Sequence, residues 1–144
     1  MAENYIAWLL ERGFDPSNLE SRAFNGNTPL LQAALEGNEM MVKRLLEAGV
    51  DLYAVNHDYN GVIFNACYAD NAAIIARLCD AGADINDVNE NSETPLMYAV
   101  SASKLHSVKA LIARGADRGI QNMDGLSAID FATDREVFRQ LRAA

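Results

Sequence analysis

Gly26-Asn27-Thr28-Pro29-Leu30-Leu31-Gln32-Ala33-Ala34-Leu35-Glu36-Gly37-Asn38-Glu39-Met40-Met41-Val42-Lys43-Arg44-Leu45-Leu46-Glu47-Ala48-Gly49-Val50-Asp51 holds two short helices and the residues that start and stop them. Thr28 can cap the first with its hydroxyl, and Pro29 suits the first turn because its missing N–H would go unpaired there anyway. Leu30, Ala33 and Ala34 give that helix a thin apolar face. Gly37 ends it by entering the left-handed conformation cheaply. Asn38 caps the second helix, whose apolar face is Val42, Leu45 and Leu46, and Gly49 ends that one. A single pair of such helices cannot bury its own apolar surface. It needs copies of itself.

The copies recur about every 33 residues. Gly49, Gly82 and Gly115 are evenly spaced, and Asp51, Asp84 and Asp117 keep the same interval. Thr28-Pro29-Leu30 returns two periods on as Thr94-Pro95-Leu96, and Ser127-Ala128-Ile129 stands one period further. Ala33, Ala66, Ala99 and Ala132 share one register. A Thr-Pro-Leu start, a Gly-Ala-Asp finish and this period closely resemble the ankyrin repeat, over nearly the whole chain. The resemblance implies an all-α solenoid: stacked helix-turn-helix units, hairpins between repeats and truncated capping units at both ends. The family's histidine after Thr-Pro-Leu is missing throughout, since Leu31, Phe64, Met97 and Asp130 occupy that position.

The register divides 1–144 into one domain of five units. Residues 1–22 carry only the back half of a repeat, with Tyr5, Ile6, Leu9 and Leu10 as its helix face and Gly13-Phe14-Asp15 as its finish. Trp8 is expected to cover the exposed end of the stack. Repeats follow at 23–55, 56–88 and 89–121, and 122–144 is a shortened C-terminal cap. The repeat at 56–88 departs furthest from the pattern: Asn60-Gly61-Val62-Ile63 has neither threonine nor proline, so Asn60 is expected to cap its first helix. Gly61 there lowers local stability by up to about 1 kcal/mol. In the final unit Asp134 is expected to cap a helix that turns Val137, Phe138 and Leu141 inward and Arg135, Arg139 and Arg142 outward. Truncated units at both ends read as a finished small protein.

Half the residues are hydrophobic and 22% are charged, the composition of a soluble folded domain. No apolar run approaches the roughly 20 residues that span a bilayer, and no leader opens the chain. Cys67 and Cys79 fall on inward positions filled elsewhere by Ala34 and Leu46, so both are expected to be buried thiols of a reducing, cytoplasmic compartment. His57 and His106 have nothing at metal-ligand spacing around them, and no phosphate-cradling loop follows a strand. No enzyme, no cofactor and no metal site is expected.

Charge is more telling. Between Asp51 and Ser103 eight acids (Asp51, Asp58, Asp70, Asp80, Asp84, Asp87, Glu90, Glu93) face one base, Arg77, within a chain of net charge −8. Most bases fall on second helices or their ends. The family's concave face, built of hairpins and first helices, is therefore expected to be acidic, repelling nucleic acid and attracting a basic protein surface. An acidic surface kept for solubility is the alternative.

The resemblance implies that hairpin tips and the exposed part of each first helix choose the partner. Those positions are Phe24, Asn25, Asn27, Leu35 and Glu36 in the first full repeat, and His57, Asp58, Asn60 and Tyr68 in the second, with Tyr53 and Tyr59 close by. Glu90, Asn91 and Glu93 follow in the third, Met123 and Asp124 in the last. Phe24, Leu35, Tyr53, Tyr59 and Tyr68 would form an aromatic-apolar anchor ringed by acids, although Tyr53 and Tyr59 could merely brace their hairpins. The function expected is recognition of another protein by a monomer, as an inhibitor or regulator, with no nucleic-acid or membrane partner. A structural or oligomerising spacer and a small-ligand or thiol-dependent enzyme are the rivals.

Overall fold

Thr28 and Thr94 set the pattern of the structure, a computed structural model that describes residues 2–23 and 25–143. The Thr28 hydroxyl accepts from the Leu31 N–H at 3.3 Å, and the Thr94 hydroxyl accepts from Met97 at 3.1 Å. Helices α1 (Ala2–Glu11), α2 (Pro29–Glu36), α3 (Glu39–Glu47), α4 (Val62–Tyr68) and α5 (Ala72–Asp80) come first in the chain. They are followed by α6 (Pro95–Ser101), α7 (Leu105–Ala113), a 3-10 turn (Ala128–Phe131) and α8 (Arg135–Arg142). Among the described residues there is no strand, only an isolated bridge between Asp15 and Asn18.

First helices stack on first helices, α2 on α4, α4 on α6 and α6 on the 3-10 turn, while α3, α5, α7 and α8 form a second row. Ala33, Ala66 and Ala99 are fully buried between the rows, where a larger side chain would hold the helices apart. Leu30, Val42, Leu45, Ile74, Ile75, Leu78, Leu96, Val108 and Leu111 fill the remaining space. The apolar interior therefore runs along the stack and has no single centre.

Neighbouring repeats also complete one another's helix ends. Helix α7 begins at Lys104 with no side-chain cap of its own. Asp70, from the preceding repeat, supplies one: its carboxylate accepts from the Ser107 N–H at 2.8 Å and the Ser107 hydroxyl at 2.9 Å. Asp70 is held at φ +53°, the left-handed position that Gly37 occupies one repeat earlier at +71°. At the first end, Trp8 is buried as expected, stacks on Phe14 at 5.9 Å and donates to Glu36 Oε1 at 3.2 Å, with the Arg12 guanidinium over its ring.

Four expectations are corrected. Asn60 does not cap α4; Gly61 is the N-cap residue, and no side chain bonds the free N–H groups behind it. Cys79 is half-buried, not enclosed like Cys67: it sits near the end of α5, packed only partly against the core. Phe138 is 43% exposed under Arg142, leaving Val137 and Leu141 to anchor α8. In α1, Ile6 and Leu10 are 42% and 59% exposed, while Leu9, Trp8 and the half-buried Tyr5 face the stack.

Candidate functional site

Three asparagines build the hairpins. Asn56, Asn89 and Asn122 recur at the repeat interval, and each Oδ1 accepts from the N–H groups two and four residues on. Those distances are 2.9 Å and 3.1 Å in every case. One side chain thus fixes a whole tip. The residue at each apex sits at positive φ: Gly26 at +81°, Tyr59 at +62°, Ser92 at +62° and Gly125 at +78°. Tips are also tied to one another, since the His57 N–H donates to Asn25 O at 3.4 Å and the Met123 N–H to Asn91 O at 3.2 Å.

Where the first three full repeats meet, this scaffold lines an open cavity of about 220 Å³ on the face made by first helices and hairpins. Phe64 and Tyr68 from α4 and Tyr98 from α6 form aromatic walls; Phe64 and Tyr98 pack with ring centroids 5.0 Å apart. Leu35 closes one side, and Asn25, Asp58 and Asn60 come from the tips. Burial pushes the Tyr98 hydroxyl above its ordinary pKa. Lys104 Nζ lies 5.4 Å from the centre of the Tyr68 ring. The Asn60 Oδ1 is buried and has no hydrogen-bond donor.

The cavity thus gathers Asn25, Asn27, Leu35, Asp58, Asn60 and Tyr68 from the expected set. His57, Tyr59, Glu90, Asn91, Met123 and Asp124 are exposed on the tips. Glu93 is half-buried and accepts from Asn89 Nδ2 at 3.2 Å. Phe24 lies outside the described residues.

Three members of the set spend their polar groups on bonds within the fold. Asn27 is 1% exposed because it is an inner strut, donating to Gln32 at 3.0 Å and accepting from Asn56 at 3.1 Å. The Glu36 carboxylate is taken up by Arg12, Gln32 and Trp8. Tyr53 is exposed, but its hydroxyl donates to Gly82 O at 3.1 Å and its ring borders a separate groove with Leu52, Asp84 and Asp87. Tyr53 therefore braces one repeat against the next.

The acids scatter as well. Asp51 and Asp84 bond their own turns, accepting from Tyr53 N at 2.8 Å and Asn86 N at 2.9 Å; Asp70 caps α7, and Asp80 pairs with Arg114. Of the eight, Asp58, Glu90 and Glu93 belong to the hairpin tips. Phe64, Tyr98, Asn56 and Asn65 were not anticipated at the site. The recurrence of Asn56, Asn89 and Asn122 was a legible signal for the scaffold; nothing comparable marked Tyr98.

Among the described residues, no group of three or more His, Cys, Asp or Glu could hold a metal ion. No helix is long and apolar enough to cross a membrane, again among the described residues. The arrangement offers recognition surface: rings, amides and a carboxylate held by a rigid backbone. No curated protein matches this chain. A family model described as ankyrin repeats (3 copies) matches residues 2–89, 36–122 and 63–142. That coverage runs across nearly every repeat of the stack, and the chain belongs to the ankyrin-repeat family.

Proposed function

We propose that this chain is a monomeric, cytoplasmic recognition module that binds a partner protein bearing a basic surface through its hairpin tips and first helices. Ankyrin repeats are generally protein–protein interaction modules, and the family is typically non-enzymatic. The observation that carries the specific reading is the convergence of Phe64, Tyr68, Tyr98 and Asp58 on one cavity of that face. Tyr68 is exposed and Phe64 and Tyr98 are half-buried, and accessible aromatics are what contact hot spots use and what bare solvent disfavours. Tyr59 adds to it: a tyrosine is retained at a left-handed apex where glycine would be less strained. The paired change Tyr68→Arg with Asp58→Lys should abolish capture of the partner while leaving the thermal midpoint nearly unchanged. Intact capture would locate binding elsewhere. An inhibitory role requires that the partner's own activity fall on binding.

An oligomerising spacer is the second reading, favoured by Ile6 and Leu10 at the N-terminal end. Trp8 does not serve it, because that ring is buried within the chain. A dimer in light scattering, lost in Leu10→Lys, would establish this alternative.

A further inference from the structure

The cavity where the first three full repeats meet has a composition that selects one chemical class of occupant. We infer that it is a socket for an arginine side chain of the partner, with the guanidinium set between the Tyr68 and Tyr98 rings and paired with the Asp58 carboxylate. This rests on the proposed protein-binding function and specifies its anchor.

Three observations lead there. Among the described residues no lysine, arginine or histidine lines the cavity, so it presents no cation to a negatively charged ligand. The groups left over after the fold's own hydrogen bonds include a carboxylate and a buried amide oxygen, both acceptors. Asn56 spends its amide on the Asp58 and Asn60 N–H groups and on Asn27, and Asn65 donates to Leu31 O at 2.9 Å. Among the described residues the Asp58 carboxylate carries no such bond, and Asn60 Oδ1 is a buried acceptor without a donor. A buried orphan acceptor is costly, and the broad last torsion of asparagine lets that oxygen swing toward an arriving N–H. Aromatic faces complete the fit, and Tyr68 already holds one cation, the ammonium of Lys104, near its ring.

Guanidinium suits this set better than ammonium. It is planar and stacks on rings, presents five N–H donors, and meets a carboxylate through two parallel bonds. A neutral amide occupant would stack without using Asp58, and a phosphate would be repelled by it.

The test uses Nα-acetyl-arginine methylamide as the probe, with the citrulline and lysine counterparts as controls, followed by amide NMR shifts on the full chain. The arginine probe should move the signals of Asp58, Asn60, Tyr68 and Tyr98 saturably. Citrulline, the uncharged isostere, should bind about ten-fold more weakly. Asp58→Asn, at an exposed position, should weaken the arginine probe by a similar factor without shifting the unfolding midpoint. Unmoved signals, equal binding of arginine and citrulline, or lysine binding as tightly as arginine would overturn the assignment. If Tyr68→Arg with Asp58→Lys abolished partner capture while the arginine probe left these amides unmoved, the face would be right and the socket wrong.

Discussion

His57 lies across Gly26. The two belong to successive hairpin tips, and the contact is so close that a Cβ built on Gly26 would fall 2.8 Å from His57 Cγ. Gly26 is also at φ +81°, where any L side chain is strained. Gly26→Ala therefore meets two penalties, a left-handed cost of about 1–2 kcal/mol and displacement of the imidazole. Urea unfolding should show the full loss in Gly26→Ala and recovery of only the second part in Gly26→Ala with His57→Ala. Full recovery in the double variant would mean that the backbone strain is negligible.

Tyr59 occupies the same apex one repeat later with a side chain in place of hydrogen. Glycine there relieves the left-handed strain, whereas alanine does not. Tyr59→Gly should exceed Tyr59→Ala in stability by about 1 kcal/mol, and both should weaken partner capture. A Tyr59→Gly variant that bound as well as the parent would remove Tyr59 from the interface.

Why the stack was legible and the cavity was not follows from how each is encoded. Repeat interval, Thr28 and Thr94 caps, and Ala33, Ala66 and Ala99 each report local geometry, so reading them in phase sufficed for the architecture. Site residues depend on which side chains the stack brings together from different repeats. Tyr98 reaches the cavity only because α6 packs on α4, a relation no single repeat contains. Charge counting misled for a related reason. Asp70 and Asp80 look like free surface acids until Ser107 and Arg114, from the next repeat, are seen to meet them.

Asn56 holds the second hairpin through the N–H groups of Asp58 and Asn60, and it reaches across to Asn27. Asn56→Ala leaves those donors unmatched and leaves Asn27 Oδ1 with only its longer 3.5 Å bond from Asn65, at about 1–3 kcal/mol. Asn122→Ala frees an equivalent pair at an exposed tip, where water can replace the lost acceptor, and should cost less. Hydrogen exchange at Asp58 and Asn60 should quicken in the first variant and not in the second. Equal exchange in both would show that the asparagine clip is dispensable.

The two thiols should react on different schedules. Burial pushes Cys67 up to about 12, against a smaller downward pull from Ser107. At pH 8 its thiolate fraction is then on the order of 1 in 10,000, and labelling must await opening of the stack. Cys79 is half-buried and is raised by burial, with Arg114 opposing. Ellman titration of the native chain should resolve one faster thiol and one slow thiol, and Cys79→Ser should leave only the slow phase. A fast phase surviving in Cys79→Ser would contradict the burial of Cys67.

Glu36 and Asp87 should tilt stability with pH in opposite directions. Burial alone would raise Glu36, but donors on Arg12, Gln32 and Trp8 outweigh it and hold the carboxyl below its ordinary 4.5. A carboxyl lowered on folding stabilises fully above its ordinary value, and that contribution disappears as pH falls through the lower folded value. Glu36→Gln should therefore be less stable at neutral pH, by up to about 1 kcal/mol for so accessible a pair, and should show a flatter decline below pH 4.5. Asp87 behaves in reverse. Burial raises it above 3.8, with Val88 pulling the other way, so ionising it opposes folding and stability drops as pH climbs through the raised value. Asp87→Asn should gain on the parent at pH 7 relative to pH 3. Urea midpoints at pH 3, 5 and 7 decide both cases, and parallel curves for parent and variants would show that neither carboxyl is linked to folding.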